Sequence, residues 1–448
     1  MRRLFGTDGV RGIVGKDLTE ELAQDLGWAG AYALTRHNAH QPTIIVGCDT
    51  RESKDSLSKA LMQGICNAGA NAIYAGVLPT PAIAYLTRAY KADAGVVISA
   101  SHNPAEFNGI KFFNQDGYKL SDGIEDEIED AIKLGFASIR DSVKTQGTIR
   151  VKEDAVLDYI EHMKNTMPIN LVGLKIAVDC AEGASYISSV KTLSELGAEV
   201  IPIHNHPDGK NINVNCGSTH MEELSALVVA EGADLGLAFD GDADRLLAVD
   251  ETGKIIDGDQ IMSICGAYMK QKGQLKKDTI VATVMSNLGF SLMGEKNKIN
   301  IVRTKVGDRY VLENMLENGY NLGGEQSGHI IFLDENTTGD GLLSALHLLE
   351  VVTITKKTLS QLAEIMEVLP QALVNARVAD DKKNQYEDYP EITQEIKKLE
   401  ERYAGQGRIL IRPSGTEPLV RVMIEGKDQQ EIYQQAVKLA AQIENIMG

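Results

Sequence analysis

Apolar runs of about five residues, each opening onto polar or acidic residues, recur along this chain and alternate with stretches of helix length. Residues 43–47, 94–98, 174–178 and 279–283 are the clearest. A continuous apolar run that short reads as a strand buried on both faces, and such strands belong to sheets covered by helices. The expected class is therefore α/β, with the chemistry in the loops that follow the strands. One such unit repeats. Residues 92–101 (Ala-Asp-Ala-Gly-Val-Val-Ile-Ser-Ala-Ser) line up with 233–242 (Ala-Asp-Leu-Gly-Leu-Ala-Phe-Asp-Gly-Asp), placing Ser101 opposite Asp242. Upstream, residues 67–74 resemble 195–202 in the same relative order, so two copies of one α/β unit are expected.

The 448 residues exceed what one core supports. The polar stretch 141–154 and the turn at 250–254 read as boundaries. Beyond Pro370 the pattern changes to strand, charged helix, two strands and a final helix, which is a smaller α+β domain. The formal charge of -18 repels polyanions, which argues against nucleic-acid or membrane-surface partners. Any phosphate must then meet a local concentration of Arg and Lys. Cys48, Cys66, Cys180, Cys216 and Cys265 show no paired metal-ligand spacing, so reduced thiols are expected. Neither a leader pattern nor a membrane-length apolar run is seen, and a cytoplasmic enzyme is the expectation.

Four segments carry the chemistry. In Ile98-Ser-Ala-Ser-His-Asn-Pro104, Ser101 follows an apolar strand, and its hydroxyl could take and return a phosphoryl group. Asn103 could cap, and Pro104 open, a helical turn. His102 is assigned a supporting role. Asn108-Gly109 reads as a tight turn that brings Lys111 back beside the serine; spacing alone does not separate this from a solvated strand lysine. In residues 240–245, Asp240, Asp242 and Asp244 alternate with small residues. Carboxylates so close repel unless a cation gathers them, and oxygen-only ligation suits Mg²⁺. Arg245 would add positive charge. The glycine-rich segment 323–329 offers Glu325, Ser327 and His329 for sugar hydroxyls or an amino group. Residues 412–418 with Arg421 form a plausible nest for a phosphate dianion.

Taken together, these segments resemble the α-D-phosphohexomutase superfamily over essentially the whole chain. Residues 5–12, 92–113, 215–220, 304–310 and 412–425 look like its bacterial phosphoglucosamine mutases. The resemblance implies three similar α/β units with mixed sheets and a smaller C-terminal α+β domain around a central cleft. The units would run 1–154 with the phosphoserine nucleophile, 155–254 with the metal loop, 255–369 with the sugar loop and 370–448 with the phosphate loop. It also implies that Ser101 is the phosphoserine and that Asp240, Asp242 and Asp244 hold one Mg²⁺ together with it. Glu325, Ser327 and His329 would contact the sugar, Arg412, Ser414, Gly415, Thr416 and Arg421 would hold the non-reacting phosphate, and Arg11 would support the phosphoryl group.

The implied reaction interconverts glucosamine 6-phosphate and glucosamine 1-phosphate through a 1,6-bisphosphate that is both intermediate and activator, supplying amino-sugar nucleotides for cell-wall precursors. Lys111 and His329 are the candidates for general acid and base. A phosphomannomutase or phosphoglucomutase is the alternative, and a homodimer is the implied assembly. Ala243 departs from the glycine that many relatives carry in the metal loop, which matters if that position needs a positive φ.

Overall fold

The structure is a computed structural model that describes residues 3–6, 8–135, 145–414 and 417–448. It divides into two compact units, Met1–Met285 with Ile299–Ile365, and Ser286–Lys298 with Met366–Gly448.

Among the described residues, the first unit has three mixed sheets, of seven, five and four strands. Each contains the same four-strand pattern. In the first sheet, Ala94–Ile98 lies between an antiparallel neighbour, Phe107–Asn114, and a parallel one, Thr43–Cys48, which is followed by parallel Asn71–Val77. In the second, Leu235–Phe239 lies between antiparallel Leu246–Asp250 and parallel Lys175–Asp179, followed by parallel Glu199–Ile203. The third repeats this with Leu322–Gly324, antiparallel Ile330–Phe332, parallel Thr279–Thr283 and parallel Asn300–Thr304. The sequence echo is thus a structural repeat, and it has a third member. Ala94–Ile98 and Leu235–Phe239 are buried at every position, so only the residues past their ends can meet solvent or substrate. Ser101, Asp242 and Ser327 each lie three residues beyond the equivalent strand.

Two details differ from the composition. Residues 149–151, inside the polar stretch expected at a boundary, form a parallel edge strand beside Asn71–Val77, with all three side chains exposed. The second sheet also runs past the turn at 250–254, because Ile255–Ile256 pairs with Leu246–Asp250.

The second unit is a three-stranded antiparallel sheet with Leu419–Glu425 between Gln371–Arg377 and Arg408–Pro413. Val420, Val422 and Ile424 pack against Ile392 and Leu399 of Pro390–Tyr403 and Ile432, Leu439 and Ile443 of Gln429–Met447. Helix Leu288–Asn297 belongs to this unit: Asn287, its N-cap, donates to Leu369 O at 2.9 Å, and Leu288 N donates to Glu425. The five cysteines are unpaired and buried. Among the described residues, no helix is long and apolar enough to cross a membrane.

Candidate active site

Past Ala94–Ile98 the chain turns sharply, and Ser101 takes φ +51° while only 2% exposed. Its Oγ donates to Asp240 Oδ2 at 2.6 Å and lies 3.3 Å from His102 Nδ1. Burial, then Arg245 and Arg11, push the His102 imidazole down to about 4, so it is neutral at neutral pH.

The turn is held by Arg51, which sequence reasoning missed. Its side chain is fully buried. The guanidinium donates to Asp49 Oδ2 (2.9 Å) and to the carbonyls of Ser101 (3.0 Å), Asn103 (2.8 Å), Phe107 (3.0 Å) and Pro104. Asn213 adds bonds to the Ser101 and Asn103 carbonyls at 2.9 and 3.1 Å. Pro104 opens a single turn, closed by Phe107 N on Pro104 O at 3.1 Å, and the chain passes from it directly into a strand rather than a helix. Ser99 Oγ completes the support, donating to Asp49 Oδ2 at 2.6 Å and accepting from Ser101 N at 3.0 Å.

Asn108-Gly109 is not a turn; it lies inside strand Phe107–Asn114, opposite Arg11 and Gly12. Asn108 Nδ2 bonds Ser53 Oγ, and a Cβ at Gly109 would come within 2.5 Å of Ser99 O. Here glycine permits a close approach rather than a tight turn. Lys111 still reaches the site. Its Nζ lies 2.9 Å from Asp242 Oδ2 and 2.7 Å from Asp8 Oδ2, with the side chain 2% exposed. Burial pulls the ammonium down, but Asp242 and Asp8 outweigh it and the pKa ends raised, so Lys111 keeps its proton.

Asp240, Asp242 and Asp244 are buried, and one oxygen from each falls within 4.8 Å of the others. Oδ1 of Asp242 and Oδ1 of Asp244 are buried and make no hydrogen bond. Burial, then Asp244 and Asp242, push the Asp240 carboxyl well above its ordinary range. Three converging carboxylates, two of them with an unused buried oxygen, fit a hard divalent cation. Ala243 does sit at φ +56°. A left-handed alanine costs roughly 1–2 kcal/mol, and the carboxylates converge nonetheless. Ala243→Gly should therefore change stability by about 1 kcal/mol or less, since relieved strain is offset by glycine's unfolded-state entropy. Unaltered metal dependence of turnover with a small rise in melting temperature is the expected result.

Around the carboxylates runs a belt of ion pairs. Asp8 contacts Arg11 (3.0 Å), Lys111 and Lys119 (2.6 Å). Burial raises its pKa, but Lys111, Lys119 and Arg11 outweigh that and hold it well below the usual range. Lys119 also pairs with Asp308, which lies 3.6 Å from His329 Nε2. His329 Nδ1 faces Asp244 at 3.4 Å, and Nε2 accepts from Gly339 N at 3.1 Å. Both nitrogens of the sugar-loop histidine are thus engaged within the protein. Glu325 Oε1 accepts from Gly307 N at 3.1 Å, which ties that loop to the 304–310 segment. Ser327 is exposed. Arg245 N donates to Asp240, while its Nε makes no hydrogen bond and lies 3.8 Å from Asp244. Thr80 Oγ1 donates to Asp242 Oδ2 at 2.6 Å.

In the second unit, Arg412 and Arg421 are direct cross-strand partners. Like charges placed so destabilise a sheet. Burial, then Arg421, lower the Arg412 pKa, and Arg421 Nε is buried without a hydrogen bond. Ser414 is 3% exposed, and its Oγ accepts from Glu417 N. Gly415 and Thr416 lie outside the described residues. An anion would relieve the arginine pair.

Four family models match the chain in order: phosphoglucomutase/phosphomannomutase alpha/beta/alpha domains I (residues 2–137), II (157–253) and III (257–369), and the C-terminal domain (373–442). The chain belongs to the phosphoglucomutase/phosphomannomutase family. This is a family of three α/β domains and a C-terminal domain, matching the sheets above. Among curated members, the chain is 60% identical over 445 residues to the phosphoglucosamine mutases of Clostridium novyi and Clostridium acetobutylicum, covering 99% of each chain. A solved family protein from Burkholderia thailandensis shares the fold with a TM-score of 0.82 at 22% identity, over 98% of both chains. The Aspergillus fumigatus N-acetylphosphoglucosamine mutase, solved with GlcNAc-6P and magnesium, aligns with a TM-score of 0.66 at 18% identity, over 99% of this chain and 96% of that one.

Proposed function

We propose that this chain interconverts glucosamine 6-phosphate and glucosamine 1-phosphate by passing a phosphoryl group through Ser101. The observation that carries the reading is the 2.6 Å contact of Ser101 Oγ with a buried carboxylate trio, in a chain 60% identical to phosphoglucosamine mutases over nearly its full length.

In the first half-reaction the bond from phosphorus to Ser101 Oγ breaks and one to the sugar O1 forms, while O1 gives up its proton and the freed Ser101 Oγ takes one up. The 1,6-bisphosphate then reorients. In the second, the bond from phosphorus to O6 breaks, Ser101 Oγ takes the group and gives up its proton, and O6 is protonated. Asp240, Asp242 and Asp244, with an oxygen of phospho-Ser101, would hold one Mg²⁺, which supplies charge neutralisation for the transferring group. Lys111, locked between two carboxylates, supplies fixed positive charge and a proton donor at the leaving oxygen. Arg11 and Arg245 add charge beside it. His329 positions Asp244, and Glu325 and Ser327 meet the sugar. Arg412, Ser414 and Arg421, with Gly415 and Thr416, take the phosphate that is not being transferred.

Chelation should abolish turnover and Mg²⁺ should restore it, with Asp242→Asn unresponsive at ordinary Mg²⁺ concentrations. Arg412→Ala should lower kcat/KM by about 10- to 100-fold, the loss of one charge-assisted contact worth roughly 1.5–3 kcal/mol; Lys should recover only part. The reading itself is tested by offering glucosamine, glucose and mannose 6-phosphates with Mg²⁺ and a trace of the matching bisphosphate. Preference for glucosamine 6-phosphate without phosphate release supports it. Preference for another sugar would move the specificity, and stoichiometric free phosphate would mark a phosphatase.

A further inference from the structure

The second sheet carries a group of metal-ligating side chains that the phosphoryl transfer does not use. Asp179 ends the strand Lys175–Asp179, directly across from Ala238 of Leu235–Phe239. His204 follows the neighbouring strand Glu199–Ile203, and Cys216 precedes the short helix Gly217–Thr219. A carboxylate oxygen of Asp179, a ring nitrogen of His204 and Sγ of Cys216 lie within 4.8 Å of one another.

Asp179 is fully buried and Cys216 is 1% exposed. The corresponding carboxylate past the first-sheet strand Thr43–Cys48, that of Asp49, is matched by Arg51 at 2.9 Å. Asp179 has no Arg or Lys at ion-pair distance among the described residues; the one group there able to carry positive charge is the His204 imidazole, at 3.1 Å. His204 Nδ1 is buried and faces Asp179 Oδ2 at 3.1 Å, a pairing that raises the imidazole pKa, and Nε2 lies 3.4 Å from Glu223. Two backbone donors fix the carboxylate, Ala181 N on Oδ1 and Gly217 N on Oδ2, each at 2.8 Å. Metal-ligating carboxylates are oriented in this way. A buried carboxylate with no Arg or Lys beside it, a buried imidazole nitrogen and a thiol, converging within 4.8 Å, are groups that a cation would join.

We propose that Asp179, His204 and Cys216 form a second metal site, for a zinc-class divalent cation. One thiolate, one imidazole and one carboxylate suit zinc, with a fourth tetrahedral position left for water, whereas the oxygen-only trio at 240–244 suits magnesium. Binding removes the thiol proton of Cys216 to solvent. The segment that follows Asp179 touches the metal loop: Ala184 N donates to Gly241 O at 2.8 Å, and Gly183 packs so closely on Gly241 that a Cβ there would clash.

The test is a cobalt titration of the full chain in excess Mg²⁺, so that the 240–244 trio is occupied. The wild type should develop thiolate-to-cobalt charge-transfer absorption that saturates at a single equivalent and is displaced by Zn²⁺. Cys216→Ser should lose that absorption, Cys180→Ser should keep it, and His204→Ala should need far more cobalt to reach it. Zn²⁺ should also raise the melting temperature of the wild type and not of Cys216→Ser. A wild type that shows only oxygen-ligated cobalt, as expected if Asp179 and His204 are merely an ion pair, would overturn the proposal whether or not the variants fold. So would a thiolate band that survives Cys216→Ser.

Discussion

Ser101→Ala should fold normally and lose about 10⁴-fold or more in turnover, the scale on which removal of a covalent nucleophile is felt. Folding should survive because the Ser101 side chain contributes little of the turn's support. Its backbone carbonyl is what Arg51 and Asn213 grip, and alanine keeps that carbonyl. Alanine also tolerates the left-handed φ of +51° no worse than serine does. The hydroxyl, by contrast, is the one protein group that accepts the phosphoryl group in the proposed chemistry, so neither Lys111 nor Arg245 can replace it. Intact-mass measurement should find the wild type partly phosphorylated and the variant not at all. A variant that retains a tenth of the activity would remove Ser101 from the reaction.

Arg51→Ala carries the largest expected effect on stability. It leaves the buried Asp49 carboxylate without its countercharge and takes the guanidinium donors from the carbonyls of Ser101, Asn103, Pro104 and Phe107. Breaking a buried pair from one side costs about 3–5 kcal/mol. Burial, acting against Arg51, already holds the Asp49 pKa above its ordinary value, and losing the guanidinium raises it further. A carboxyl whose folded pKa is raised loses stability as pH climbs through that pKa. The penalty relative to wild type should therefore be full at neutral pH and shrink toward pH values near the unfolded aspartate pKa of about 4. Paired urea unfolding curves at both pH values measure it. Arg51→Lys should recover only part, since an ammonium has three donors and cannot span the same fork. Equal penalties at the two pH values would mean that the lost carbonyl bonds, and not the Asp49 charge, dominate.

What could be read from the sequence was what lies close together along it. The trio at 240, 242 and 244 is consecutive chemistry on one loop, and the strand before it is apolar throughout, so its burial follows directly. Ser101 was legible for the same reason, and the echo between 92–101 and 233–242 carried the fold class. The third copy of the repeat was hidden because its central strand, Leu322–Gly324, has three residues, two of them glycine. Asn108-Gly109 misled because turn chemistry is local, whereas the pairing with Gly9–Ile13 that makes it a strand comes from about 100 residues away. Arg51, Asp8, Lys119 and Asp308 could not be found by spacing. Lys119 and Asp308, for example, are 189 positions apart and meet only after three sheets have formed. A weak signal existed for two of them, since Asp8 and Asp308 fall in segments 5–12 and 304–310, which carried the family resemblance.

The central claim is that the phosphoryl group on Ser101 is exchanged with the sugar and not with water. Enzyme carrying radiolabelled phosphate on Ser101, mixed with a slight excess of unlabelled glucosamine 6-phosphate in a single turnover, tests this most directly. The label should pass into the 1,6-bisphosphate and then into glucosamine 1-phosphate, while unlabelled phosphate from the substrate's 6-position appears on Ser101. Label that stays on the protein while product forms, or that is released as inorganic phosphate, would contradict the account.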